Sequence, residues 1–112
     1  MLSWSSNEMG DTVDLTAVAE GRDGVGIDHD GPLVRFATAC AERDDAALAA
    51  ARQALIDDTD EAFMVDAAGV AANFEMMTRL ADATGATMPP ERVERAAATI
   101  GALGIAHLTS RR

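Results

Sequence analysis

From Thr59 to Gly85 the apolar positions follow one rule. Phe63, Ala67, Val70, Phe74, Met77 and Ala81 recur at steps of three and four, the period of one face of an α-helix. Met64, Ala68, Ala71 and Leu80 widen that face, which predicts a helix able to touch more than one neighbour. Asp58, with Glu61 three residues on, reads as an acidic capping box at its start. Gly85, free to take the left-handed conformation, marks its end. Polar groups interrupt the face: Asn73 and Arg79 near the middle, Asp66 and Asp82 toward the two ends.

The rest of the chain falls into place around this helix. Asp30-Gly31-Pro32 predicts a helix start, because proline loses nothing in a first turn where its N–H would have no partner. Leu33, Phe36, Ala37, Cys40 and Ala41 then share one face. Arg43-Asp44-Asp45 breaks the pattern and caps a second helix, whose stripe is Leu48, Ala51, Leu55 and Ile56. Ala86 to Pro90 is a turn. The last helix follows, with Glu91 and Glu94 in its first turn and a stripe of Val93, Ala97, Ile100, Leu103 and His107. Gly101 and Gly104 cost helix propensity there, which predicts close approach of another helix. Residues 1–29 are rich in Ser, Asn, Asp and Gly and read as a flexible, poorly structured arm. Within it Val13, Leu15 and Val18 suit a short helical turn or an extended piece, and Trp4 is an anchor against the body or a neighbouring subunit. The expectation is an all-α protein: an N-terminal arm over 1–29, then one compact domain of about four helices over 30–112.

Composition narrows the function classes. The net charge is −10 and every one of the nine basic residues is Arg. No basic stripe exists to meet phosphates, so nucleic acid is not an expected partner. Cys40 is the single cysteine, which excludes an internal disulfide and any Cys-x-x-Cys pair. No apolar run approaches the ~20 residues that cross a membrane, and no secretory signal opens the chain. A cytoplasmic protein with no membrane partner is the expectation. Alanine is abundant and aromatics are few, so each helix contact buries little area. Self-association would supply more, and a homo-oligomer is expected.

The order of helix, short acidic turn and helix, followed by Asp57-Asp58-Thr59-Asp60-Glu61-Ala62 and then Asn73, Phe74, Arg79, Ala81, Asp82 and Gly85, resembles the carboxy-terminal half of alkylhydroperoxidase-like, or carboxymuconolactone-decarboxylase-like, peroxidase-related proteins. Leu33 to Ala37 resembles the preceding helix of that half, and the likeness covers roughly residues 33–88. It implies the helical packing of that family. In its redox members the chemistry rests on a Cys-x-x-Cys with a nearby His and an acidic residue, upstream of the matched half. Here the upstream residues 1–32 contain no cysteine. The resemblance therefore implies an inherited fold without peroxide or decarboxylase chemistry.

Candidate chemistry is sparse. Cys40 is the weak catalytic candidate, since an ionised thiol reacts with peroxide, but on an Ala-rich face it reads as a small core residue. Asn73, Arg79 and Asp82 are the ligand-binding candidates: Arg79 and Asp82 sit three apart, close enough to pair, and a buried Asn needs hydrogen bonds. Asp28-His29-Asp30 offers oxygen and nitrogen donors, yet three adjacent residues rarely converge on one ion, so no metal is expected. Asp57, Asp58, Asp60 and Glu61 read as caps and surface charge, and His107 as a partner for free helix carbonyls. No cofactor is implied. The leading expectation is a non-catalytic helical protein acting through homo-oligomerisation or small-ligand binding. The alternative is a peroxide-linked oxidoreductase or another enzyme using a helix-bundle pocket.

Overall fold

Five helices form among the described residues, and their starts and stops follow local chemistry. The computed structural model describes residues 13–106. Helix α1 is Leu15–Ala19, α2 Asp30–Glu42, α3 Asp45–Asp58, α4 Glu61–Thr84 and α5 Pro90–Ala102. No strand occurs among the described residues. By internal packing the chain divides into two units, Met1–Ala72 and Asn73–Arg112, with α4 running through the boundary.

In the first unit, Asp14 caps α1 by accepting from the amides of Thr16 (2.9 Å) and Ala17 (3.2 Å). The Asp14 amide itself donates to the Val25 carbonyl at 2.8 Å, folding the following loop back on the helix. Ala17 and Val25 are thereby buried against Val34 of α2, with Val13 packed alongside. The polar, glycine-rich composition of residues 13–29 gave little sign of this. Two small apolar side chains on backbone hydrogen bonds are enough to seat the segment. Trp4 lies outside the described residues.

Helix α2 ends at Arg43, a left-handed residue (φ 56°) whose N–H reaches the Ala39 carbonyl. Asp44 then starts α3, accepting from Ala46 and Ala47 at 3.0 Å each. So short a link makes the two helices antiparallel neighbours, and they pack together. The stripe predicted for α3 holds: Leu55 is fully buried, and Leu48, Ala51 and Ile56 are half-buried. The face predicted for α2 is shifted. Phe36 is buried as expected, but Val34 and Ala39 join it while Ala37 and Ala41 stay exposed. The reason is the α1 segment, which covers Val34 and turns the helix toward it.

Thr59 closes α3 through its hydroxyl, which donates to the Leu55 carbonyl at 2.6 Å. Asp60, not Asp58, caps α4: its carboxylate accepts the Phe63 amide at 2.8 Å. The helix begins at Glu61, which leaves Asp60 as the residue just outside the first turn.

In the second unit, α4 ends at Gly85 (φ 72°), where the Ala86 amide reaches back to the Ala81 carbonyl at 3.0 Å. That is the glycine C-cap predicted from sequence. Pro89 and Pro90 start α5. Gly104 (φ 65°) takes the left-handed conformation just past the end of α5. A Cβ added at Gly101 would meet nothing within 4 Å, so among the described residues of this unit no helix makes the close approach expected there. His107 lies outside the described residues.

The core departs most from the sequence reading. All buried hydrophobic side chains among the described residues lie between Ala17 and Leu55. Helices α4 and α5 contain no buried residue. The long helix that the hydrophobic pattern placed at the centre is half-buried only at Met64, Ala67, Ala68, Ala71 and Ala81.

Candidate functional site

The Asp28-His29-Asp30 segment is a structural junction. Asp30 accepts the amides of Gly24 (3.1 Å) and Gly26 (3.2 Å) on one oxygen, Oδ2. Both glycines have positive φ, 87° and 94°, which lets the loop turn its amides onto that oxygen. Backbone hydrogen bonding, from Gly26 first, holds the Asp30 carboxyl below its ordinary range. His29, left-handed at φ 60°, places Nδ1 2.7 Å from Asp58 Oδ2 and its ring edge-on to Phe63, with centroids 5.5 Å apart. It thus ties the start of α2, the end of α3 and the start of α4. Nearby, Arg35 Nη1 donates to both oxygens of Asp23, at 2.8 and 3.2 Å. Asp30 and His29 therefore turn to different partners. No group of three or more His, Cys, Asp or Glu among the described residues is arranged to hold a metal ion.

Cys40 is half-buried on α2, and burial pushes its thiol pKa up. The attacking species in thiol chemistry is the thiolate, so the shift runs opposite to what a reactive cysteine needs.

Asn73, Arg79 and Asp82 all lie exposed on α4. The Asn73 amide donates to the Met77 sulfur at 3.7 Å. Arg79 pairs with Glu75, one turn back, at 3.5 Å. Six residues separate Asn73 from Arg79, which turns the two side chains about 120° apart around the helix. Asn73 and Arg79 therefore face different directions from the helix. A shallow depression in the second unit is lined instead by Met88, Pro90, Glu91, Val93, Glu94 and Ala97.

What α4 does present is apolar surface. Phe63, Val70, Phe74 and Met77 are 37, 57, 53 and 50% exposed, and Leu80, Val65 and Met76 are more than half exposed as well. Exposed single hydrophobics are ordinary, but Phe63, Val70, Phe74 and Met77 share one face of a 24-residue helix, which makes that face a candidate contact surface. The helical period found this stripe in the sequence, as a face able to touch more than one neighbour. The His29–Asp58 bridge was not anticipated. It joins residues 29 apart in sequence, and no local pattern reports such a pair.

Comparison with protein families, curated proteins and solved structures finds no match for this chain.

Proposed function

We propose that this protein is a non-catalytic helical protein that works as a homo-oligomer, with α4 and α5 completing their apolar packing between copies. One observation carries the reading: α4 and α5 bury no residue, while α4 exposes Phe63, Val70, Phe74, Met77 and Leu80. Contact with a second copy would bring this surface out of water, where apolar area is favoured by about 25 cal/mol per Å². The helical packing is that of the alkylhydroperoxidase-like family, on the strength of the matched residues 33–88. The absent Cys pair and the protonated state favoured for Cys40 support a binding or structural role over peroxide chemistry.

Amide hydrogen exchange at two protein concentrations tests the proposal. Exchange across 61–84 is expected to slow as concentration rises, while 45–58 stays unchanged. Concentration-independent exchange over α4 would rule out packing between copies. Peroxide turnover that survives Cys40→Ser would remove the non-catalytic part.

A further inference from the structure

Resting on the homo-oligomer reading, we infer that the second copy docks α4 against α4 antiparallel, about a two-fold axis beside Ala72 and Asn73. The spacing of Phe63, Ala67, Val70, Phe74, Met77 and Ala81 is a heptad seam, with its two core positions alternating over nearly three repeats. Such a seam packs evenly when facing side chains sum to similar volumes. In a parallel, in-register pair each residue meets itself. Phe63 would face Phe63 and Phe74 would face Phe74, with thin Ala67 and Ala81 layers beside them. Reversing one helix about residue 72 changes every layer. Phe63 then meets Ala81 of the second copy, Ala67 meets Met77, and Val70 meets Phe74. Each layer becomes one large side chain against one smaller one.

The polar residues agree with this register. Asn73 flanks the seam and lies beside the two-fold axis, where it meets its own copy. An amide carries both donors and an acceptor, so two of them across an axis can satisfy each other. Asp66 is the one charged residue flanking the seam. Antiparallel pairing sets the two Asp66 side chains about 20 Å apart along the helices, beyond the ~8 Å screening length, whereas parallel pairing sets them at one level. A chain of net charge −10 gains from keeping like charges apart.

The area suffices. Phe63, Val70, Phe74, Met77 and Leu80 are each between 37 and 61% exposed. Covering them on both copies removes on the order of 1,000 Å², the floor for a specific interface.

Disulfide trapping in the full chain carrying Cys40→Ser tests the pairing, with sedimentation run on the same samples. Mixing the single-cysteine variants Phe63→Cys and Ala81→Cys is expected to give the mixed disulfide, while Phe63→Cys alone gives little. Asn73→Cys alone is expected to trap a dimer with itself. Efficient trapping of Phe63→Cys with itself would overturn the antiparallel pairing and leave the oligomer standing. An oligomer by sedimentation with no trapping at any of these positions would do the same. A monomer for the Cys40→Ser parent would remove the oligomer reading itself. Because Phe63→Cys thins the seam, a spin label on Asp66→Cys gives a second reading with the seam intact. Labels about 20 Å apart support the pairing, and labels about 10 Å apart, the spacing of packed parallel helices, overturn it.

Discussion

Asp30 holds two loop amides, those of Gly24 and Gly26, on one carboxylate oxygen. Its lowered pKa means that the unfolded chain binds a proton more readily than the folded one. Stability from Asp30 is therefore present above the ordinary carboxylate value of 3.8 and is lost as pH falls through the lower folded value. Asp30→Asn is expected to melt below wild type at neutral pH, with the gap closing near the acid end of that window. A gap that stays constant with pH would show that the carboxylate charge is irrelevant. Cys40 is expected to react slowly with a neutral alkylating reagent in the native state and at ordinary speed once the chain unfolds. Fast native alkylation would mean an ionised, accessible thiol and would reopen the one-cysteine peroxidase reading. At this scale the sequence was legible where a residue acts on near neighbours. Asp44 was placed correctly as a cap; His29 and Asp58, which meet only through the fold, were not.

At the scale of elements, helix positions were legible and helix faces less so. Asp44, Gly85 and Pro89-Pro90 act within a turn of themselves, and the helix boundaries sit where they indicated. Which side of a helix is covered depends on distant chain. Residues 13–29 shifted the face of α2, and nothing within the described residues fully covers α4. Two substitutions probe these elements. Asp44→Ala leaves the Ala46 and Ala47 amides without their acceptor and is expected to cost about 1 kcal/mol in denaturant unfolding. An unchanged midpoint would show that water replaces the cap fully. Gly69 lies within α4 but off the heptad seam, and a Cβ there meets nothing within 4 Å. Gly69→Ala is expected to stabilise the chain by about 0.5–1 kcal/mol through helix propensity and to leave association unchanged. Weakened association would place the contact surface on the other side of the helix.

At the scale of the whole molecule, the proposed second copy would reconcile the hydrophobic pattern with the observed burial. The pattern of Phe63, Val70, Phe74 and Met77 is that of a core helix, yet the described residues leave those side chains open to water. Sequence reasoning read the periodicity correctly but could not tell whether the covering surface comes from the same chain or another. Charge sets the conditions: with −10 per copy, association is opposed by repulsion and should strengthen as salt screens it. The most direct measurement is sedimentation equilibrium of the intact chain beside Phe74→Glu, at low and high salt. The account predicts an oligomer for the intact chain, tighter at high salt, and a single-chain mass for Phe74→Glu with the first unit still folded. An intact chain that stays monomeric at every concentration and salt, with α4 helical and its apolar face bare, would contradict it.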